Sequence, residues 1–283
     1  MLLLSSWTLI FMTAYAGAVS PPLLRILITG ANRGIGLGLT KALLAHPHVG
    51  SCVATCRNLS SSPALRALSC DKLTLLELDV ADESSQQRLS RDLDDLGFDA
   101  IDVCVCNHGV SNKNHPHDPF LTSKVADLLE CFKVNAVGTM LTLQLHSPRL
   151  FSSRAKLAVI LSSRLASIEQ ASGGGYTSYR ASKAAVNMLA ATYVADGAVK
   201  AAGVRCLLVH PGWVQTDMGN AGGRSAPVTV EQSAAGILSQ IMRGVSVQLR
   251  APMEPAYDPG SFEQLLMSNH LVFTAFDGEL LPY

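Results

Sequence analysis

The sequence predicts a single α/β domain built around a doubly wound parallel sheet of about seven strands. Three observations support this fold class. Short apolar runs of strand length alternate with longer segments of helical periodicity, the pattern that produces a parallel sheet covered by helices. A glycine-rich turn separates the first strand from the first helix. Neither an internal repeat nor a linker interrupts residues 25–283, so we expect one domain over that range.

The predicted strands are the short runs rich in β-branched and other apolar residues. They are Arg25–Ile28, Cys52–Cys56, Leu73–Leu78, Ile101–Cys106, Leu157–Leu161, Val204–Val209 and Leu271–Ala275. Helical patterns lie between them, including one long helix that contains residues 133–139. Another helix is expected from Thr229, where Thr229 and Gln232 approximate a helix cap, to about Gly244. Residues 245–269 have no clear periodicity.

The composition is that of a globular protein without a strong charge. Of 283 residues, 48% are hydrophobic and 16% are charged, and Lys+Arg and Asp+Glu both number 22. This balance predicts no basic face, and therefore no nucleic-acid partner. The seven cysteines are an odd number and lie mostly in apolar runs. We expect buried thiols in a reducing compartment, which favours a cytoplasmic protein.

Residues 1–24 form an apolar N-terminal extension that the sequence leaves open to two interpretations. Residues 1–20 contain no Lys, Arg, Asp or Glu. A signal peptide or membrane anchor would explain this, but the positively charged start of a signal peptide is missing. An extension irrelevant to the fold explains it equally well. Apart from this stretch, no membrane association is expected.

The glycine-rich turn has the context of a dinucleotide-binding loop, between a β-rich run and an apolar helix. It comprises Gly30, Asn32, Arg33, Gly34, Ile35 and Gly36. Glycines let the backbone approach a pyrophosphate, and the helix N-terminus supplies N–H groups and a positive dipole. A tight strand-to-helix turn without a ligand is the alternative. The spacing Gly-x-x-x-Gly-x-Gly differs from the commoner dinucleotide fingerprint.

The second predicted strand ends in Arg57, where NAD-dependent enzymes usually hold an acid that binds the ribose 2′-hydroxyl. Arg33 lies in the glycine-rich turn as well. Two guanidinium groups near the adenosine ribose suit a 2′-phosphate, because arginine binds phosphate oxygens bidentately. We therefore expect NADPH or NADP+ as the cofactor rather than NADH. Ordinary surface arginines are the alternative.

Tyr179 and Lys183 are four residues apart in a run of helix formers. That spacing places both on one face of a helix, one turn apart. The ammonium favours the phenolate, so we expect it to pull the pKa of the tyrosine down from about 10 toward neutrality. A tyrosine tuned in this way can act as a general acid or base. An isolated Tyr-x-x-x-Lys is weak evidence, and the rest of the chain gives it weight.

Two further polar positions suggest chemistry. Ser162 and Ser163 directly follow the fifth predicted strand, where side chains of a parallel sheet face the ligand crevice. Either serine could act there. Asn135 lies between apolar neighbours in a predicted helix, although Asn is a poor residue for a helix interior. This indicates a polar task or a satisfied buried amide.

Three histidines within ten residues, His108, His115 and His117, invite a metal hypothesis. His115 and His117 do not have helical spacing, however, and no carboxylate cluster accompanies them. We therefore expect no metal, and interpret the segment as a loop that borders a pocket.

Thr29-Gly30-x-x-x-Gly34-x-Gly36 together with Tyr179-x-x-x-Lys183 resembles the classical short-chain dehydrogenase/reductase family, whose fold is of the Rossmann type. The likeness runs from about Arg25 to the C-terminus. Residues 179–183, 211–219, 226–229 and 277–283 are similar to the C-factor and sniffer-type carbonyl reductases of that family.

The resemblance implies a role for each matching residue. Tyr179 would protonate the carbonyl oxygen, and Lys183 would tune it and hold the nicotinamide ribose. Ser163, which the pattern favours over Ser162, would hydrogen-bond the substrate carbonyl, and Asn135 would order a proton-relay water. The expected cofactor-binding set is Gly30, Asn32, Arg33, Gly34, Ile35, Gly36, Arg57, Asp79, Val80, Asn107, Gly109, Tyr179, Lys183, Pro211, Gly212, Val214 and Thr216. Within that set, Asp79 would bind the adenine and Thr216 the carboxamide or phosphates.

The chain departs from the family pattern at three places, one of which is a longer gap from Ser163 to Tyr179, similar to that of the C-factor subgroup. The family's Asn-Asn-Ala-Gly is replaced by Cys106-Asn107-His108-Gly109, which bears on the adenine contacts. The segment 219–226, expected to form a substrate lid, is longer than usual. We expect the walls of the pocket to come from the loop after Asn107, residues 164–177 and the lid after Thr216.

The predicted function is the NADPH-dependent reduction of a small-molecule carbonyl substrate (an aldehyde, ketone or quinone) to an alcohol. The alternative is a signalling or redox-sensing protein that binds the dinucleotide but has little turnover. An epimerase or dehydratase of the extended family would need a different glycine spacing and a separate substrate domain, and the sequence has neither. A homo-oligomer is compatible with the sequence.

Overall fold

The computed structural model describes residues 23–112, 117–249, 258 and 260–283. Seven parallel strands form one sheet in the order β3-β2-β1-β4-β5-β6-β7. The strands are β1 Leu24–Ile28, β2 Val49–Cys56, β3 Leu73–Glu77, β4 Val103–Cys106, β5 Leu157–Leu161, β6 Arg205–His210 and β7 Leu271–Ala275. The predicted fold class, a Rossmann-type doubly wound sheet, is confirmed. Each predicted strand is present, with bounds shifted by at most three residues.

Helices connect the strands and cover both faces of the sheet. They are α1 Gly34–Ala45, α2 Pro63–Arg66, α3 Glu83–Asp95, α4 Val125–Cys131, α5 Gly138–Phe151, α6 Thr177–Ala195, α7 Gly197–Ala202, α8 Val230–Leu249 and α9 Phe262–Asn269. A π-helical turn, Phe132–Val137, joins α4 to α5. Short 3₁₀ turns occupy Phe120–Thr122 and Arg164–Ala166.

The hydrophobic core has two layers because successive side chains of a strand point to opposite faces of the sheet. On β1, Ile26 and Ile28 pack into the layer covered by α1, α8 and α9. Leu27 packs into the opposite layer, under α3, α5 and α6. All three side chains are fully buried. The continuous apolar composition of the strands follows from this two-sided burial.

Two predictions about helices need correction. The single long helix expected around residues 133–139 is interrupted by the π-helical turn, because the inserted residue turns the Asn135 side chain inward to bond the loop after β4. The segment 245–269 is not featureless: α8 extends to Leu249, and α9 follows, while residues 250–257 and 259 lie outside the described part. The predicted cap is confirmed, since Thr229 and Gln232 each accept a hydrogen bond from the other's backbone N–H.

The N-terminal extension, up to residue 22, lies outside the described residues. In the ranges that the structure describes, no helix combines the length and the apolar character needed to cross a bilayer. All seven cysteines are free, and six of them are buried.

Replacing Ile26 by Ala is expected to lower the free energy of unfolding by about 3 kcal/mol, and replacing it by Val by about 1 kcal/mol. The reason is that Ile26 is fully buried on an interior strand of the sheet, so a truncated side chain leaves a cavity. Urea unfolding of the two variants measures both values. Leu121→Ala is the control, because Leu121 is 93% exposed and its loss should change little. Equal effects at the two positions would contradict this assignment of the core.

Candidate active site

The site lies where the order of the sheet reverses, between β1 and β4. The connections from these two strands run to opposite sides, which opens a crevice at the carboxyl ends of the strands. Asn107, which follows β4, closes the bottom of this crevice. Its side-chain amide donates to the carbonyls of Thr29 and Gly30, at 3.1 and 2.8 Å, and so ties the end of β4 to the glycine-rich turn.

The glycine-rich turn leaves its backbone open toward the crevice. Gly30 has φ +67°, in the left-handed region that favours glycine, and a Cβ on Gly36 would collide with the Gly30 carbonyl. Helix α1 begins without a side-chain cap and without an acidic residue in its first turn. Helix α3 differs, because the Asp82 side chain accepts hydrogen bonds from its first N–H groups. The first N–H groups of α1 are therefore available to a phosphate.

Two hydroxyl groups meet across the crevice. Ser163 follows β5 and is 5% exposed, and its side chain is hydrogen-bonded to that of Tyr179 on α6. Ser163 Oγ also accepts a hydrogen bond from the N–H of Leu165 at 3.1 Å. Ser162 points elsewhere: its hydroxyl donates to Asn187 Oδ1 at 2.6 Å, within the contact between the sheet and α6. Of the two serines, Ser163 is thus the one beside Tyr179.

Lys183 is buried one helical turn after Tyr179, and its Nζ donates to the Leu161 carbonyl at 2.5 Å. Burial lowers the pKa of Lys183 to about 8, against the smaller opposing effects of Cys106 and Cys131. Gly109 lies directly beside the ammonium, because a Cβ added there would be 3.4 Å from Lys183 Nζ and 3.4 Å from Asn135 Oδ1.

Asn135 connects the π-helical turn to both walls of the site. Its Oδ1 accepts from the Val110 N–H at 2.7 Å, and its Nδ2 donates to the Val110 carbonyl and to Ser182 Oγ, both at 2.9 Å. The side chain is completely buried. Since Ser182 precedes Lys183 on α6, these bonds fix the loop after β4 against the helix that carries Tyr179 and Lys183.

The structure contradicts one prediction about Tyr179. The Lys183 charge was expected to lower the pKa of Tyr179, but burial raises this pKa to about 12. The hydrogen bond from Ser163 lowers the pKa in part, and Cys131 raises it slightly. The physical reason is desolvation, which disfavours the phenolate. The Lys183 ammonium is directed at the Leu161 carbonyl.

A family model described as "short chain dehydrogenase" matches residues 25–225. The chain belongs to the short-chain dehydrogenase family. It is 30% identical over 227 residues to the short-chain dehydrogenase RED3 of Pyricularia oryzae, an alignment that covers 76% of this chain and 88% of the relative. The predicted resemblance to the family is therefore confirmed.

Solved carbonyl reductases have the same fold as this short-chain dehydrogenase. The carbonyl reductase Sniffer of D. melanogaster superimposes with a TM-score of 0.77 and 27% identity, covering 92% of this chain and all of the other. The NADPH-bound carbonyl reductase from chicken fatty liver gives a TM-score of 0.75 and 26% identity, covering 93% of this chain and all of the other.

The residues predicted for the adenosine end of the cofactor lie around the opening of the crevice. Arg57 is exposed directly after β2. Asp79 is exposed after β3, and its carboxylate accepts a hydrogen bond from the Ala81 N–H at 3.1 Å. Val80 is buried. Arg33 forms an ion pair with Asp217, which belongs to the loop after β6.

The loop after β6 lies across the glycine-rich turn of this dehydrogenase. The Thr216 methyl group faces Gly34, since a Cβ there would be 3.1 Å from it. Val214 is buried and forms an isolated bridge with Val228. The Pro211 carbonyl accepts from the Ser233 hydroxyl at 2.7 Å. Three more residues of the expected cofactor-binding set lie near this loop or the turn. Ile35 packs against the core, Asn32 is half-buried in the turn, and Gly212 has φ +87°.

His108 occupies the position that is Ala in the family's Asn-Asn-Ala-Gly motif, and its ring is buried between β1 and α5. It is 2.7 Å from Thr29 Oγ1 through Nδ1 and 3.2 Å from Thr139 Oγ1 through Nε2. Burial and, to a smaller extent, the Lys183 charge lower the pKa of His108 to about 3. The departure at position 108 is visible in the sequence, but the bridge is not, because Thr29 and Thr139 are distant along the chain.

Asp118 is a second contributor that the sequence did not indicate. Helix α6 has no side-chain cap from its own N-terminal residue. The Asp118 carboxylate instead accepts from the N–H and the hydroxyl of Ser178, at 3.0 and 2.6 Å. A residue 60 positions away thereby fixes the start of the helix that carries Tyr179.

Of the three histidines of the metal hypothesis, the two that the structure describes contact other groups. His108 bonds two threonine hydroxyls, and His117 packs edge-on against Tyr176 with ring centroids 4.9 Å apart. His115 lies outside the described residues. Within the part that the structure describes, no group of three or more His, Cys, Asp or Glu side chains is placed to bind a metal.

Replacing His108 by Ala is expected to reduce the acid sensitivity of folding. Because the pKa of His108 is about 3 in the folded protein and about 6.5 in an unfolded chain, only the unfolded state binds this proton between those values. Stability is therefore present above about pH 6.5 and is lost as the pH falls, by about 1.4 kcal/mol per unit from this one group.

Unfolding free energies of the wild type and His108→Ala between about pH 6.5 and 4.5 test this. The variant should have the shallower slope, whatever its absolute stability, since the truncation itself does not titrate. Parallel slopes would show that His108 is not buried in its neutral form.

Proposed function

We propose that this short-chain dehydrogenase is an NADPH-dependent carbonyl reductase in which Tyr179 is the general acid. The observation that carries the proposal is the hydrogen-bonded pair of Tyr179 and Ser163 beside the buried Lys183 ammonium. The likeness to two carbonyl reductases, one of them bound to NADPH, supports the same reaction class. An aldehyde, ketone or quinone is the proposed substrate class.

The cofactor fits the residues at the glycine-rich turn. The available N–H groups at the start of α1 and the close backbone approach at Gly30 and Gly36 would hold the pyrophosphate. Arg57 would bind the 2′-phosphate, and Arg33 would join it on leaving Asp217. When bound, NADPH supplies the hydride that reduces the carbonyl carbon.

Tyr179 is suited to donate the proton in the reducing direction. With a pKa of about 12, the phenol keeps its proton at neutral pH until a stronger base appears. The alkoxide that develops on the carbonyl oxygen is such a base, so proton transfer from the phenol is favourable. The Ser163 hydroxyl accepts from the Leu165 N–H, and its hydrogen, which bonds the Tyr179 oxygen in the free protein, would turn to the same carbonyl oxygen when substrate binds.

Lys183 and Asn135 would assist Tyr179 by stabilising its phenolate and by returning a proton to it. The Lys183 ammonium, held by the Leu161 carbonyl, would bind the nicotinamide ribose and stabilise the phenolate left after transfer. Asn135 Oδ1 accepts one hydrogen bond and lies beside Gly109 on the Lys183 side. Its remaining lone pair would order a water through which Tyr179 regains a proton.

The cytosol is the proposed compartment. The seven free thiols match a reducing environment, where cysteines remain unpaired.

Tyr179→Phe is expected to lower the rate of carbonyl-dependent NADPH oxidation by at least about 100-fold, because the proton donor is lost. NADPH binding, followed by its fluorescence, should be retained. Tyr193→Phe is the matched control on the same helix, since the Tyr193 hydroxyl bonds only Ser147 among the described groups, and its activity should stay unchanged. Unaltered turnover in Tyr179→Phe would refute the assignment. Binding of NADPH by the wild type without turnover of any aldehyde, ketone or quinone would favour a dinucleotide-binding signalling protein.

Arg57→Asp is expected to raise the KM for NADPH by about 10-fold or more and to leave the KM for NADH unchanged or lower. A charge-assisted contact to the 2′-phosphate is lost, and NADH carries no such phosphate. Steady-state kinetics with each cofactor measure the two values. Arg66→Ala, at another exposed arginine after the same strand, should alter neither. Equal increases for NADPH and NADH would contradict the role of Arg57.

A further inference from the structure

A cluster of one arginine and two aromatic residues lies where the segment 219–226 meets the residue before α6 and the loop after β6. We call Tyr176, Trp213 and Arg224 the rim cluster. The Arg224 guanidinium carbon is 5.3 Å from the centroid of the Tyr176 ring and 5.9 Å from that of Trp213. Arg224 Nη1 donates to the Tyr176 hydroxyl at 2.6 Å. The cluster therefore joins the expected lid, which carries Arg224, to the start of α6 and to the loop after β6.

Two members of the rim cluster are close along the chain to elements that carry site residues. Tyr176 immediately precedes α6 and is three residues before Tyr179, about one helical turn away. Trp213 follows Pro211 and Gly212, directly after the carboxyl end of β6. A substrate whose carbonyl oxygen reaches Tyr179 would thus have its far end at this rim.

Arg224 is held in place by the lid itself. Its Nε donates to the Ala221 carbonyl at 2.8 Å, and its Nη2 donates to the Met218 carbonyl at 3.3 Å. The Trp213 indole N–H donates to the Gly219 carbonyl at 2.8 Å, so the neighbouring ring is fixed by the same segment. The guanidinium is preorganised, which reduces the entropy lost when a ligand binds.

The rim cluster has hydrogen-bond donors left over. A guanidinium has five N–H groups, and the described contacts of Arg224 use three, which leaves one on each terminal nitrogen. The Tyr176 hydroxyl accepts from Arg224 and still has its own hydrogen to donate. Two N–H groups of one guanidinium match the two oxygens of a carboxylate.

No carboxylate of the described chain neutralises Arg224, which takes part in none of the ion pairs found there. The acidic side chains around the crevice have other partners. Asp217 pairs with Arg33, Glu279 pairs with Arg164, and Asp118 accepts two hydrogen bonds from Ser178. A half-buried cation without an acidic partner favours an anionic ligand.

We infer that the rim cluster is a specificity site for a carboxylate on an aromatic carbonyl substrate, an inference that rests on the proposed reductase function. Arg224 and the Tyr176 hydroxyl bind the carboxylate. The Trp213 indole, 45% exposed, offers the face that Arg224 does not cover to the aromatic ring of the substrate.

The test compares two aldehydes that differ in charge at the same position: 4-carboxybenzaldehyde and methyl 4-formylbenzoate. The full-length wild type with NADPH should have the lower KM for the carboxylate. In Arg224→Gln, the KM for the carboxylate should rise about 10-fold or more, while the KM for the ester changes less than about 2-fold. The KM of Arg224→Lys for the carboxylate should lie between those of the wild type and Arg224→Gln, because lysine keeps the charge but cannot bind a carboxylate bidentately. Arg88→Gln, an exposed arginine on α3, is the control and should change neither KM.

Equal changes for both aldehydes in Arg224→Gln would overturn the inference and make Arg224 a structural residue of the lid. An unchanged KM for the carboxylate would overturn it as well. Calorimetric binding of 4-carboxybenzaldehyde and the ester to both proteins separates this from a failure of the proposed function. If neither aldehyde is reduced, a preference of the wild type for the carboxylate that Arg224→Gln loses still supports the anion site, and its absence refutes it.

Discussion

The hydrogen bond from the Lys183 ammonium to the Leu161 carbonyl is the interaction on which the geometry of the site depends. A buried cation needs acceptors close by, and the carboxyl end of β5 provides one at 2.5 Å. This bond fixes α6 against the sheet at the level of Ser163, and so brings the Tyr179 and Ser163 hydroxyls together. Gly109 allows the approach, because its missing side chain leaves room beside the ammonium.

Burial dominates the charge of Lys183 in setting the ionisation of Tyr179. Desolvation penalises a phenolate strongly, and the Ser163 hydrogen bond offsets only part of that penalty. The same burial weakens the hold of Lys183 on its own proton, so that its pKa is lowered to about 8. A neutral phenol beside a buried ammonium is the arrangement that a reductase needs, because the proton must stay on Tyr179 until the carbonyl oxygen becomes basic.

The features that sequence could predict are those with a short-range pattern. The alternation of apolar runs gave the seven parallel strands, the glycine spacing gave the turn before α1, and the i, i+4 spacing placed Tyr179 and Lys183 on one helix. The Thr229 cap was equally visible, because a capping box is local. The roles of the individual site residues remain proposals.

What sequence could not predict depends on contacts between distant segments. Asp118 caps a helix that begins 59 residues later, and Arg33 pairs with Asp217, 184 residues away. His108 bridges two threonines from different elements, and the π-helical turn at Asn135 exists because of a partner, Val110, in another loop. The predicted direction of the Tyr179 pKa shift was wrong for the same reason, since desolvation depends on all the groups that pack around the phenol.

Burial keeps Tyr179 protonated in the free protein. Ultraviolet difference spectroscopy of the wild type against Tyr179→Phe, titrated without a cofactor, measures this one phenol. No tyrosinate from Tyr179 is expected up to about pH 10, in keeping with a pKa of about 12. A tyrosinate signal that appears between about pH 7 and 9 in the wild type alone would contradict it and restore control by the Lys183 charge.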